Sequence, residues 1–363
     1  MVPAKMTASK FKHISNEELD NLKLKVQRHL GSGLVTVIGS GLSAAQGISG
    51  MGALADHLVA SVPKQLAKPL VSGWEAIMRE LKAGQGLEAA LLRHPPQRDL
   101  EDIIVKETAA LVRRDEAKVI RDVVSNGTIL PLTRLLRHFP KTPPVIDIIT
   151  PNYDRLVEVA AEDAGLGVDT MFLGTILGRY DAAASGMSFV KSLRQTKKTV
   201  RKITAPRVVL RKPHGSLDWC MRNGKPTRAA AEHIDTPLII TPGLNKYLHG
   251  YNVPFDKHRE KANSRIDTCS RLLIIGYGFN DDHLETHLSP AVRSGRATLI
   301  IARTLSPKAL QIIDASPDVT AFEYGKNDVQ EGTVIWRGKN KTFLAGIHLW
   351  DIDSMVTEIF GND

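Results

Sequence analysis

The sequence predicts an α/β protein: a doubly wound, Rossmann-like parallel sheet of about six strands with a large helical insertion. Three observations lead there. Short, apolar, β-branched runs recur along the chain with helical patterns between them, as buried parallel strands and their crossovers require. Polar turns, most of them holding glycine, follow residues 38, 150, 211 and 275. Residues 63–140 carry helical periodicity with no strand pattern, which marks an insertion between the first and second strands.

The elements follow in order. Ser15-Asn16-Glu17-Glu18 is a capping box, Leu19, Leu22, Val26 and Leu30 recur behind it at helical spacing, and Gly31 is the stop. Val35 to Ile38 reads as a strand buried on both faces. Gly39-Ser40-Gly41 then turns sharply. A helix beginning near Leu42 would aim free N–H groups at that turn, so strand, turn and helix make a diphosphate cradle. This is not the dehydrogenase fingerprint, because Ala44 stands where its third glycine belongs, and no P-loop Lys-Ser/Thr pair follows. Residues 145–150, 208–211, 238–241, 271–275 and 298–302 read as strands two to six, with 319–323 as a possible seventh on an edge. The segment TVIWRGKNKTFLAG reads as a hairpin turning at Gly338-Lys339-Asn340, and the stretch after it is ambiguous. Ligands of such sheets lie off the carboxyl ends of the strands, so the four polar turns should meet on one rim.

Composition narrows the function. The chain has 363 residues, 42% of them hydrophobic, enough for one large domain or two. A net charge of +9 favours anionic partners such as nucleotides, nucleic acid or an acidic protein face. Cys220 and Cys269 are the only cysteines, which excludes a disulfide framework and a four-cysteine zinc site. No run approaches 18 apolar residues, so the chain reads as soluble and cytoplasmic, without a membrane partner.

Several residues could carry chemistry. In Thr150-Pro151-Asn152-Tyr153-Asp154, Asn152 either caps a helix or holds a ribose hydroxyl or a water with its amide, and Asp154 either serves the helix dipole or lines the site. His214 ends its own strand and is either structural or a base, a role open to imidazole at neutral pH, with Ser216 and Asp218 as candidate orienters of its ring. Gly276-Tyr277-Gly278, followed by Asn280, Asp281 and Asp282, is a second strand-to-helix turn or a ribose seat. Two glycine-rich turns suit a ligand with two ends. The run 191–212 holds nine Lys or Arg and no acid, and is either a solvated loop or a phosphate-binding segment.

Together these segments resemble the sirtuin superfamily. Gly39, Gly41, Ser43, Gly47 and Ile48 match its Gly-Ala-Gly-x-Ser…Gly-Ile-Pro segment; Thr150, Asn152 and Asp154 match Thr-Gln-Asn-x-Asp; His214-Gly215 matches the His-Gly of its catalytic base. With IGYGFNDDHL, the chain is most similar to the sirtuin-like NAD hydrolases of prokaryotic anti-phage defence, members lacking a zinc ribbon. Ser49 and Pro151 depart from the pattern, as does the shortage of cysteines. The resemblance implies an enzyme that cleaves NAD⁺ to nicotinamide and ADP-ribose, with Asn152 and His214 catalytic and Gly39, Ser40, Gly41, Ser43, Asp154, Gly276, Gly278, Asn280 and Asp281 binding the dinucleotide. It implies no zinc or other metal, a homo-oligomer, and in some systems a HerA-type hexameric ATPase partner. A protein deacylase and a non-enzymatic nucleotide or DNA sensor are the alternatives. On this reading residues 1–33 are an N-terminal helix, 34–62 and 141–330 the NAD-binding domain, 63–140 the helical insertion and 331–363 a hairpin and tail.

Overall fold

The computed structural model describes residues 12–140, 142, 144–195, 199–241 and 253–361. Among them the strands are β1 Lys12–His13, β2 Leu34–Ile38, β3 Val145–Ile149, β4 Gly167–Asp169, β5 Phe172–Leu173, β6 Gly178–Tyr180, β7 Val190–Gln195, β8 Val200–Thr204, β9 Arg207–Arg211, β10 Trp219–Arg222, β11 Lys225–Arg228, β12 Arg271–Ile275, β13 Ala297–Ala302, β14 Val319–Lys326, β15 Glu331–Arg337 and β16 Asn340–Ala345. The main sheet runs β1-β16-β15-β14-β13-β12-β2-β3-β9-β4, and only β15 runs against the rest.

The central strands are largely apolar because both faces are covered. Ile38, Leu273, Ile275 and Leu299 face the helices Asn16–His29, Leu156–Asp163 and Ile352–Phe360. Val35, Val37, Leu272 and Ile300 face Phe255–Thr268, Asp282–Arg293 and Pro307–Asp314. The chain leaves β2 for β3 on one side and later returns to β12 on the other. The crevice at this reversal of strand order opens above β2.

The sheet is wider than the six strands expected. The hairpin β15–β16 extends it beyond β14, and β4 adds a strand beside β9. Residues 238–241 are not a strand: Ile239 makes one isolated bridge to Gly215. Its side chain is buried beneath the rim with Ile48, Val112, Leu156 and Leu217. An apolar run covered by loops has the same sequence pattern as a buried strand. The stretch after the hairpin is the helix Ile352–Phe360, capped by the Asp351 carboxylate, which accepts from Ser354 N at 2.9 Å.

Between β2 and β3 the helices Met51–Ser61, Val71–Lys82, Leu87–Arg93 and Arg98–Asn126 enclose an apolar cluster of their own around Leu58, Trp74, Ile77 and Ile104. The last helix before β3, Pro131–Arg137, packs under the sheet instead. Val105, Ala109 and Val112 of the long helix meet Leu156 and Leu217, so the helical lobe reaches the sheet at its carboxyl rim.

Beside β9, His258 is fully buried against Trp219, ring centroids 4.6 Å apart, and its Nδ1 accepts from Lys212 N at 3.1 Å. Burial, then the nearby Arg211 and Lys212 charges, push its pKa well below the ordinary value. Below about pH 6.5 the unfolded chain therefore holds one proton more than the folded one. Stability should fall with decreasing pH in that range, by up to about 1.4 kcal/mol per unit. Urea midpoints at pH 7.5, 6.5 and 5.5 should decline less in His258→Gln than in the wild type; equal declines would remove His258 from the acid sensitivity.

Candidate active site

The two glycine turns grip each other. Gly39 N donates to Ile275 O at 2.9 Å, Gly41 N to Gly276 O at 2.9 Å, and Gly276 N to Ile301 O at 2.8 Å. A Cβ on Gly39 would fall 2.5 Å from Gly276 O, and one on Gly276 would fall 2.5 Å from Leu42 N at a φ of +57°. Glycine is thus required here for the approach of main chain to main chain. This corrects the cradle expected from sequence. The helix is short, Ser40–Ala45, and begins at Ser40 rather than near Leu42. Two of its first N–H groups are engaged, Gly41 N by Gly276 and Leu42 N by Gly39 O at 3.3 Å. What remains exposed is a platform whose outer surface carries Ser40 and Gly41.

Two clefts open on either side of this platform and share Ser40, Tyr277 and Gly278. The first, about 310 Å³, is bounded by the β2, β3, β9 and β12 turns and by Met51, Leu54, Thr108 and Val112 of the helical lobe. The second, about 560 Å³, is lined by Gly41, Gly276, Arg303, Thr304 and Trp350. Both volumes lie in the range of small-molecule sites.

Asn152, Asp154 and His214 all line the first cleft, with Ser40, Ser43, Gly278, Asn280 and Asp281. Gly41 and Gly276 line the second, while Gly39 is buried behind the platform. The Asn152 amide is anchored: Nδ2 donates to Ser43 Oγ at 2.8 Å and to Gly39 O at 3.0 Å, which leaves Oδ1 as the atom available to a ligand. Thr150 Oγ1 accepts from Asn152 N at 3.1 Å, and Asp154 Oδ1 accepts from Leu156 N at 3.2 Å. Asp154 is thus buried, holds the first N–H of the helix Leu156–Asp163 from just before its N-cap Arg155, and is a wall of the cleft.

His214 Nε2 lies 2.8 Å from Asp281 Oδ2, and both side chains are buried. The approach is close but off the axis of an aligned N–H···O bond. Asp281 also caps the helix Asp282–Arg293 through Oδ1, which accepts from His283 N at 3.1 Å. The carboxylate beside the ring is therefore Asp281. Ser216 Oγ reaches Tyr153 O at 3.4 Å, and Asp218 accepts from Arg228 Nε at 2.6 Å, so neither expected orienter takes that place. Asn280 stays exposed at the mouth. Tyr277 fixes the second glycine turn by donating to Glu285 Oε1 at 3.0 Å. Burial, then the Glu285 charge, push its phenol pKa upward, so it stays protonated.

The supports behind this wall were not legible as function. Lys212 is fully buried; its Nζ donates to Glu158 Oε1 at 3.0 Å and to Asp154 O at 2.6 Å, tying β9 to the Asn152 turn. Burial raises the Glu158 pKa against the pull of Lys212. From the long helix, Glu116 accepts from Arg155 N at 2.5 Å and from Arg155 Nη2 at 2.7 Å, and Asp115 accepts from Ser49 N at 3.0 Å. A signal for this pair exists in the sequence. Leu100, Ile104, Thr108, Leu111 and Val112 make an apolar stripe at helical spacing, and Asp115 and Glu116 continue it with buried carboxylates.

Among the described residues no three His, Cys, Asp or Glu side chains gather as a metal site, and no helix is long and apolar enough to cross a membrane.

Comparison with known proteins bears on this rim. Residues 147–316 match the family model of a SIR2-like domain. That SIR2-like region includes the Asn152, His214 and Gly276 turns, and the platform at Gly39 precedes it. No curated protein matches the chain. Among solved structures, one titled "Structural Basis for the Mechanism and Regulation of Sir2 Enzymes" is similar, with a TM-score of 0.43 and 13% identity over 96% of this chain and 98% of that one. Another, "The Structural basis of Sirtuin Substrate Affinity", has a TM-score of 0.37 and 15% identity over 81% of this chain and 90% of that one.

Proposed function

We propose that this chain is an NAD⁺ glycohydrolase, releasing nicotinamide and ADP-ribose. One observation carries the reading: an anchored, uncharged amide and a carboxylate-paired imidazole, Asn152 and His214, line one cleft beside the glycine platform. The SIR2-like match supports NAD⁺ as the substrate. Two clefts joined at Ser40 suit a dinucleotide, with the nicotinamide riboside end in the first and the adenosine end beside Trp350 in the second. The nicotinamide of NAD⁺ leaves as a neutral molecule from a cationic ring, so its departure needs no acid. Asn152 Oδ1 orients the ribose and the attacking water, His214 accepts the proton, and Asp281 stabilises the resulting imidazolium. The oxocarbenium-like ribose then takes oxygen from water.

Destruction of NAD⁺ fits the anti-phage role implied by the sequence resemblance. Control would come from self-association or from a partner such as a HerA-type ATPase. The rival is acyl-lysine deacylation on the same core. Incubating the full chain with NAD⁺, with and without an acetyl-lysine peptide, and resolving the products by chromatography decides between them. Nicotinamide and ADP-ribose in equal amounts without peptide are expected. Release only with peptide, coupled one to one to deacetylation, would replace hydrolysis by the rival.

A further inference from the structure

The nine basic residues of 191–212 divide into two unlike groups. Lys212 is inside the protein with Glu158, Arg211 is half-buried with its pKa pushed down by burial, and the Arg207 guanidinium lies 5.3 Å from the centre of the Phe189 ring. The four described residues of the other group, Lys191, Arg194, Arg201 and Lys202, are all exposed on β7 and β8. Among the described residues these strands pair only with each other. A two-stranded ribbon is marginal in isolation. This one also exposes Leu193 and Val200, each 61% accessible, so little of its own packing rewards its formation.

Its register sharpens the point. Arg194 stands directly opposite Arg201, and Leu193 opposite Lys202. Like charges directly opposed weaken a ribbon, and a shared anion reverses the sign of that interaction. No acidic residue occurs in the sequence between Asp181 and Asp218. The base, in contrast, is anchored. Ala205 N donates to Phe189 O at 2.8 Å, and the Phe189 ring occupies the space a Cβ on Gly167 of β4 would need. The ribbon is therefore rooted at the sheet edge, and none of its residues lines either cleft.

We propose that β7–β8 is a docking ribbon for duplex DNA. Six residues of strand span about 20 Å, and the two strands lie about 4.8 Å apart. A ribbon of this size enters the major groove, roughly 12 Å wide, where arginines and lysines reach the flanking phosphates. The contacts are to backbone charge, so binding is independent of base sequence and strongly dependent on salt.

The test uses the full chain and a fluorescent 30-base-pair duplex of mixed sequence, followed by anisotropy between 50 and 200 mM salt. Wild type should bind at low salt and weaken steeply as salt rises. The variant K191Q/R194Q/R201Q/K202Q should bind at least about tenfold more weakly at 50 mM and flatten the log–log salt slope by about 3 to 4. R194Q/R201Q, which keeps both lysines, should flatten it by about 2. Nicotinamide release should be unchanged in both, which separates this site from the cleft. No binding by wild type at 50 mM, or an unaltered slope in both variants, would overturn the proposal. So would polyglutamate competing as well as DNA of equal charge, which would assign the ribbon to an acidic protein.

Discussion

Alanine in place of His214 should slow nicotinamide release by about 10²- to 10⁴-fold, the usual contribution of a positioned base. KM for NAD⁺ should change little, because the loss concerns proton transfer and not binding. Asn152→Ala should be at least as severe. It removes the acceptor facing the ligand, and it frees Ser43 Oγ and Gly39 O, which the amide now engages. His214 is buried beside Asp281, so an imidazolium formed in the proposed reaction would have its counter-charge 2.8 Å away. A wild-type rate of nicotinamide release in either variant would remove that residue from the mechanism.

Lys212→Met should destabilise the protein by about 3–5 kcal/mol, the effect of leaving one partner of a buried ion pair behind. The Glu158 carboxyl would remain buried without the Lys212 ammonium that pairs with it, and Asp154 O would lose a donor held at 2.6 Å. Because that carbonyl belongs to the Asn152 turn, activity should also fall at temperatures where the variant is still folded. Lys212→Met combined with Glu158→Leu should recover much of the stability, since removing both charges of such a pair is often nearly neutral. It should not restore the rate, because the donor to Asp154 O is then still missing. Urea unfolding of both variants with parallel nicotinamide assays checks this. A loss under about 1 kcal/mol in Lys212→Met would show that the pair is not needed.

Fold class and rim were legible because both are written in local patterns. Apolar β-branched runs mark doubly covered strands, and polar turns mark their carboxyl ends. Residues 238–241 misled because that same pattern fits a loop buried under Val112 and Leu217. The pairing of His214 with Asp281 was not legible, since the two arrive from β9 and β12 on opposite sides of β2, and no local spacing relates them. Ser216 and Asp218 were nearer in sequence and turned to Tyr153 and Arg228 instead. The glycines were found, but the contact of main chain with main chain that they permit was not. A glycine admitting a ligand and one admitting another backbone look alike in a sequence.

That contact between the two turns has a consequence for how such a protein diversifies. Main chain holds main chain at Gly39, Gly41 and Gly276, so no exchange of side chains there adjusts the distance by small steps. The floor of the pocket is fixed in geometry and poor in chemical variety. Whatever distinguishes one ligand from another would be written in the opposite wall, where Met51, Leu54, Thr108 and Val112 come from helices outside the sheet. On the proposed reading, selectivity and catalysis would then reside in different parts of the polypeptide.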